Sequence, residues 1–126
     1  MSCNDNGELG TTPASIRWNV VRGDTSSIKV NFFESDGKTY TDTSGWEYLA
    51  TAYNQKTDTS DELETIPGDG YVTVIANPDV TNTWGDGYKS IVSEIIFDIE
   101  VTKSDGSVWT PIIGTIKVLG DVTRSL

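Results

Sequence analysis

The stretch 94–118 constrains the fold of this chain more than any other. In its first half, apolar residues occupy alternate positions, and this period of two is typical of a strand with one buried face. The alternating residues are Ile95, Phe97, Ile99 and Val101. Asp105-Gly106 follows, a pair that supplies the positive φ a tight hairpin turn needs. The chain then returns through a second segment rich in β-branched residues. We therefore predict a long β-hairpin whose apolar face the rest of the chain covers.

Shorter stretches upstream show the same period of two. They are 16–20, 28–32, 46–53 and 71–76. Turn sequences rich in Gly, Asp and Pro separate most of them. Residues 54–64 are polar and acidic, and we predict a loop there. No helical period is present, so the pattern favours an all-β sandwich of two sheets, with a small barrel as the main alternative.

The chain is long enough for one domain. Its 126 residues can bury a core without disulfides or metals. Residues 1–15 contain almost nothing apolar, so we expect a flexible N-terminal arm that either frays or becomes ordered on a neighbouring subunit. Residues 16–126 are expected to form the single domain.

The charge balance argues against several partners. Nine basic residues face 19 acidic ones, for a net charge of -10, so phosphate backbones and anionic membrane surfaces should be repelled. No apolar run approaches the ~20 residues that a membrane span needs. The first residues lack the features of a secretion signal. We expect a protein made in the cytosol and kept or assembled there, with no nucleic acid or membrane partner.

The sequence contains no histidine and a single cysteine, Cys3. An internal disulfide and the common triads of nucleophilic catalysis are therefore ruled out. Paired carboxylates such as Asp98 and Glu100 stand two apart on one strand and should point outward together, whereas a glycosidase needs two that face each other across a cleft. We expect no enzymatic activity, no cofactor and no metal.

From Trp18 onward the order of motifs resembles a known family. The motifs are Arg22-Gly-Asp-Thr25, Ile28-Lys-Val-Asn-Phe32, Asp36-Gly37, Asp42-Thr-Ser-Gly-Trp46, Gly70-Tyr-Val-Thr-Val74, Phe97-Asp-Ile-Glu-Val-Thr102, Asp105-Gly106, Gly114-Thr-Ile-Lys-Val118 and Asp121-Val-Thr-Arg124. Together they are similar to the small immunoglobulin-like modules of tailed-phage structural proteins. The likeness is to the N-terminal module of phage baseplate upper proteins and to related tail-fibre attachment proteins.

That resemblance implies an immunoglobulin-like antiparallel β-sandwich of six to eight strands. It also implies a non-enzymatic virion protein, assembled in the host cytoplasm, that connects or attaches parts of the tail, baseplate or fibre. Its partners would be other virion proteins and copies of itself. In the family a longer fibre or receptor-binding region follows the module, whereas this sequence ends at Leu126, so the assembly role is the one implied. A capsid decoration or head-fibre protein is an alternative, and a carbohydrate-binding adhesion module is another.

Two sets of residues are candidates for functional contacts. In immunoglobulin-like sandwiches the first strand often runs beside the last, which predicts a cluster of four charges at one end of the sandwich, with nitrogen-to-oxygen distances within about 6 Å. These charges are Arg22, Asp24, Asp121 and Arg124. A second set of aromatics could form a subunit interface or, as the alternative, a weak sugar-stacking platform. These aromatics are Trp46, Tyr48, Tyr53, Trp84, Tyr88 and Trp109.

Asp-Gly pairs recur along the chain, at 36–37, 69–70, 86–87 and 105–106. Calcium sites use Asp-rich loops, but none of these segments supplies the alternating oxygen ligands of such a loop. Asp-Gly is also ordinary turn chemistry, because glycine adopts positive φ without steric cost. The pairs are therefore predicted to be turns.

Overall fold

Seven strands and one short helix make up the part of the chain that the structure describes. The computed structural model describes residues 13–84 and 93–120. The strands are β1 (Ala14–Val21), β2 (Ser26–Asn31), β3 (Glu47–Asn54), β4 (Thr59–Gly68), β5 (Tyr71–Ala76), β6 (Ser93–Thr102) and β7 (Val108–Leu119), and the helix is α1 (Pro78–Thr81).

The strands form two layers that share β4. The hydrogen-bonded order is β1-β7-β6-β3-β4-β5-β2. Residues 59–63 of β4 pair with β3, whereas residues 64–68 pair with β5. The first half of β4 therefore completes a five-stranded layer with β1, β7, β6 and β3, and its second half begins a three-stranded layer with β5 and β2. All pairs are antiparallel except β1 and β7, which run parallel.

One apolar core fills the space between the layers. Trp18 and Ile116 of the five-stranded layer belong to the same buried cluster as Val74 of the three-stranded layer, and Ile28 of β2 packs against it. The two ends of the hydrogen-bonded order thus lie on opposite sides of one core, as in a sandwich. The predicted all-β, immunoglobulin-like sandwich is confirmed. One difference is that β1 joins the edge of the five-stranded layer parallel to β7. The barrel alternative is wrong because β1 and β2 end an open strand order.

The C-terminal hairpin is the element that the sequence predicted best. β6 buries alternate residues from Ser93 to Val101, and β7 pairs with it along most of its length. Gly106 has φ +88° at the connecting turn, and its backbone N–H donates to the carbonyl of Lys103 at 2.9 Å. The positive φ that Asp-Gly supplies is therefore used here as predicted.

Two elements differ from the prediction. The polar segment 54–64 is not a loop throughout, because β4 begins at Thr59. Leu63 is the buried residue of β4. The β4 strand is therefore held by backbone pairing to both layers, and its sequence shows no apolar period. β1 begins at Ala14, two residues inside the stretch expected to be a flexible arm. Residues 1–12 of that arm lie outside the described residues.

Candidate functional site

The outer face of the five-stranded layer carries three exposed apolar side chains. Leu49 on β3 and Ile96 on β6 are each 42% exposed, and Ile113 on β7 is 45% exposed. They occupy strand positions that alternate with buried ones, so they point away from the core. Ile96 pairs directly with Tyr53, and Ile113 pairs with Asp98. We call the following residues the outer-face patch: Leu49, Thr51, Tyr53, Ile96, Asp98, Glu100 and Ile113.

A shallow groove of about 330 Å³ runs along the outer-face patch. Two acidic residues of β6 line it beside the apolar ones: Asp98 pairs with Thr51, and Glu100 pairs with Leu49. Both carboxylates point outward from the same strand, as predicted, and do not face each other across a cleft. The patch therefore combines apolar surface with negative charge.

Tyr53 is held in place at one side of the patch. Its hydroxyl donates to Oδ1 of Asp58 at 2.7 Å. This hydrogen bond is the main reason that the pKa of Tyr53 is raised above its ordinary value of 10.0, and burial and the charge of Asp58 act in the same direction. Asp58 itself has φ +54°, a conformation that Asp and Asn adopt more readily than most residues. The turn after β3 therefore fixes an aromatic ring on the outer face.

A second concave surface, of about 430 Å³, lies between the two layers. We call it the aromatic cleft, and its defining residues are Asn31, Phe32, Thr41, Trp46, Lys103 and Trp109. The centroids of Phe32 and Trp46 are 5.4 Å apart, and those of Trp46 and Trp109 are 6.1 Å apart, both with edge-to-face geometry. Such contacts are favourable arrangements of aromatic rings. They give the cleft an apolar wall of three aromatic rings.

Lys103 places a positive charge over that wall. Its Nζ lies 4.8 Å from the centroid of Trp109 and 5.6 Å from that of Trp46. Both distances are within the range of a cation–π interaction. The ammonium group is thus held at the aromatic surface.

Tyr48 packs behind the aromatic cleft. Its ring stacks on Phe32 with centroids 6.1 Å apart, and its hydroxyl is buried without a hydrogen bond of good geometry. Burial raises the pKa of Tyr48, and the neighbouring Thr43 hydroxyl acts in the opposite direction. Tyr48 therefore supports the wall of the cleft from the core side.

The six predicted interface aromatics thus fall into different environments. Trp46 and Trp109 line the aromatic cleft, and Tyr53 belongs to the outer-face patch. Trp84 was expected at an interface, but this is wrong: it is 1% exposed. Its indole N–H donates to Oδ2 of Asp61 at 3.1 Å, so it is a core residue that carries its own hydrogen bond. Tyr88 lies outside the described residues.

Arg22, the first member of the predicted charge cluster, is a buried residue. It is 4% exposed, and its Nη1 donates to the carbonyl oxygen of Asn82 at 3.3 Å. Its backbone N–H donates to the carbonyl of Leu119 at 2.9 Å, which confirms that the first strand runs beside the last.

Of the other three members of that cluster, the structure describes one, Asp24. Asp24 is exposed, and its backbone carbonyl accepts a hydrogen bond from the Thr81 hydroxyl at 2.9 Å. Asp121 and Arg124 lie outside the described residues. The association of all four charges stays a prediction.

Three of the four Asp-Gly pairs are described, and all three are turns as predicted. Gly37, Gly70 and Gly106 each have positive φ. Asp36 accepts hydrogen bonds from the Thr39 hydroxyl and from the backbone N–H groups of Thr39 and Lys38, and these, the hydroxyl foremost, lower its pKa to about 2. The pair at 86–87 lies outside the described residues. Within 13–84 and 93–120 no three or more His, Cys, Asp or Glu side chains are grouped as metal ligands would be.

The exposed apolar residues of the outer-face patch were absent from the candidate set drawn from the sequence. The sequence does contain a signal that could have identified these residues. Ile96 lies at a strand position whose neighbours on the same face, Glu94 and Asp98, are polar. Leu49 similarly shares its face with Glu47 and Thr51. An aliphatic residue at an outward position of a half-buried strand marks a candidate contact surface.

In the described part of the chain, no helix is long and apolar enough to cross a membrane.

Comparison with known proteins finds structural similarity at low sequence identity. No protein-family model matches the chain, and no curated protein matches it. Among solved structures it is similar to one described as the ZIG-8-RIG-5 IG1-IG1 heterodimer in a monoclinic crystal form, with 8% sequence identity, a TM-score of 0.43 and coverage of 89% of each chain. The immunoglobulin-like character of the fold follows from the strand order and the shared core.

Proposed function

We propose that this protein is a non-enzymatic structural subunit of a tailed-phage particle that acts by docking on other virion proteins. It would connect or attach parts of the tail, baseplate or fibre. The observation that carries the docking role is the outer-face patch, and the phage assignment is supported by the ordered motifs that begin at Trp18. Capsid decoration or attachment of a head fibre would use the same surface at another position on the particle.

The composition of the outer-face patch supports protein contact. Leu49, Ile96 and Ile113 are aliphatic residues from three adjacent strands, each more than two-fifths exposed. Exposed apolar residues that form a contiguous patch mark interaction surfaces more often than single scattered ones do. Burying them against a partner removes apolar area from water, which is the main driving force of association.

The charge of the outer-face patch selects the kind of partner. Asp98 and Glu100 stand among the apolar residues. Two copies of the patch placed face to face would bring like charges together, which is costly at an interface. The partner at this face is therefore a different virion protein whose apolar surface carries Lys or Arg. Contacts between copies of this chain would use other surfaces.

Incorporation into particles tests the proposal. The tagged full-length chain is produced in host cells infected with the phage that encodes it, and its amount on purified particles is measured. We expect wild type to be incorporated and the double variant Ile96→Glu, Ile113→Glu to be reduced at least about tenfold, because two charges would be buried at the contact.

A matched control uses an exposed isoleucine away from the patch. Ile66 is 47% exposed and lies in the half of β4 that pairs with β5, so Ile66→Glu should be incorporated like wild type. Absence of the wild-type protein from particles would refute the virion role. Equal incorporation of the double variant would refute docking through the outer-face patch.

A further inference from the structure

The structure also points to a ligand for the aromatic cleft. We propose that the cleft binds a sugar residue that carries one carboxylate and belongs to an otherwise neutral glycan. Such a site would exist whatever particle or partner carries the protein, because it uses none of the residues of the outer-face patch.

The shape of the cleft suits a small ring-shaped ligand. Its volume of about 430 Å³ falls within the range of ~300–1,000 Å³ that is usual for small-molecule sites. Trp46 and Trp109 line it with their rings nearly perpendicular, at an interplanar angle of 88°, and Phe32 packs against both. A pyranose ring has an apolar face of C–H groups that can pack on such a wall.

Polar groups of the cleft match the edge of the same ligand. Asn31 and Thr41 are part of the lining, and their side chains can exchange hydrogen bonds with hydroxyl groups. Sites that orient a small ligand usually combine an aromatic wall with a few polar groups. The Oδ1 atom of Asn31 already accepts a hydrogen bond from the Tyr40 hydroxyl at 3.4 Å, but an aliphatic peptide side chain would offer no partner to the Asn31 amide N–H groups or to the Thr41 hydroxyl.

The charge of the cleft is opposite to that of the protein. The whole chain has a net charge of -10, yet none of the described residues that line the cleft is acidic, and Lys103 supplies a positive charge. The Lys103 ammonium lies over Trp46 and Trp109, so a carboxylate bound to it would lie beside the aromatic wall. A charge-assisted hydrogen bond of this kind is stronger than one between neutral groups.

The net charge also limits the ligand to few anionic groups. A polyanion would meet the repulsion of the whole negatively charged chain, whereas a single carboxylate mainly experiences the nearby Lys103. We therefore expect a glycan with one acidic residue among neutral ones to bind better than a polymer of acidic residues.

Titration of the intact protein with defined sugars tests this inference. The indole N–H signals of Trp46 and Trp109 are followed by NMR while sialyllactose, lactose or polygalacturonate is added. We expect sialyllactose to shift both signals with a Kd of about 1 mM or tighter. Lactose should bind at least about tenfold more weakly, because it lacks the carboxylate. Polygalacturonate should bind more weakly per acidic residue than sialyllactose.

Two variants and one control assign the binding to the cleft. Lys103→Gln should weaken sialyllactose binding about tenfold and lactose binding much less, whereas Trp109→Phe should weaken the binding of both sugars. Lys29→Gln is the matched control, because Lys29 lies 4.1 Å from the ring centroid of Tyr71 and neither residue lines the cleft. Circular dichroism and thermal melting confirm that each variant is folded.

Several results would overturn the inference. One is that neither indole signal shifts with sialyllactose at 10-fold the expected Kd of about 1 mM. Others are that lactose binds as tightly as sialyllactose, or that polygalacturonate binds more tightly. The last is that Lys29→Gln and Lys103→Gln weaken sialyllactose binding equally. Any of these results would leave the docking proposal untouched, since that proposal is measured by incorporation into particles.

Discussion

Gly114 lies directly opposite Phe97 in the β6–β7 ladder, and the space that its missing side chain leaves is occupied on one side by the Phe97 ring. A Cβ at this position would stand 2.7 Å from that ring and 2.4 Å from the backbone oxygen of Ile16. The Phe97 ring in turn packs edge-to-face on Trp18, with centroids 5.7 Å apart. Glycine is thus what allows β1, β6 and β7 to approach closely.

Gly114→Ala should therefore destabilise the domain. The added methyl group has to displace the β1 backbone or the Phe97 ring, and overpacking of this kind costs about 2 to 3 kcal/mol. Chemical denaturation measures the free energy of unfolding. Thr115→Val is the control, because Thr115 is on the opposite face of the same strand, and it should change that free energy by less than about 0.5 kcal/mol. Equal stability of Gly114→Ala and wild type would contradict the close approach.

Asp61 should matter for stability because it accepts the indole N–H of buried Trp84. Asp61→Ala leaves that donor unpaired, at a cost of about 1 to 3 kcal/mol. Asp61→Asn keeps an oxygen acceptor and should cost less than about 1 kcal/mol. Urea denaturation compares both variants with Glu62→Ala, an exposed neighbour that should fall within about 0.5 kcal/mol of wild type. If Asp61→Ala is as stable as Glu62→Ala, the hydrogen bond contributes nothing.

The hydrogen bonds that Asp36 accepts should make the stability of its turn depend on pH in the acid range. The Thr39 hydroxyl is the main cause that lowers the pKa of Asp36 from 3.8 to about 2. Because the folded-state pKa is lowered, its stabilising effect is fully present above pH 3.8 and is lost as the pH falls through about 2. Thr39→Val should raise the pKa of Asp36 toward 3.8, as measured by an NMR titration of its carboxyl group.

Thr57→Val serves as the control for that titration, because the Thr57 hydroxyl hydrogen-bonds to Thr59 on another turn. It should leave the Asp36 titration unchanged. A pKa of Asp36 that stays near 2 in Thr39→Val would show that the hydroxyl is not the cause.

Asp58 should control the titration of Tyr53. Asp58→Asn removes the carboxylate and suits the positive φ of this position, so the pKa of Tyr53 should fall toward 10.0. A raised folded-state pKa gives stability that is present below pH 10.0 and is lost as the pH rises through the folded value. NMR titration of the Tyr53 ring measures the shift, with Asp61→Asn as a control outside this turn. No change in Asp58→Asn would contradict the assignment.

The sequence predicted those parts of the fold in which one face of a strand is buried. The alternation at Ile95, Phe97 and Ile99 specified β6, since each of these side chains enters the core. β4 could not be predicted in this way, because it exposes most of its side chains and is held by backbone pairing to two different layers. Pairing of this kind depends on distant strands and leaves no local pattern.

The sequence identified candidate residues only where a residue type was informative by itself, and their role in an interface stays a prediction. Trp46 and Trp109 were candidates because they are aromatic, and in the structure they line one cleft. Trp84 looked the same in the sequence but is buried, because aromatic character does not distinguish a core position from a surface one. The role of Lys103 depends on the turn that carries it back over the two indoles, a relationship between residues that composition and spacing do not contain.

The passage of β4 from one layer to the other has a mechanical consequence. A single unbroken backbone ties the two halves of the body together, and in the virion role that we propose the subunit would transmit load between its neighbours. Pulling on a partner bound to the outer face would load β4 along its length, so the halves should yield together in one event and not peel apart in sequence.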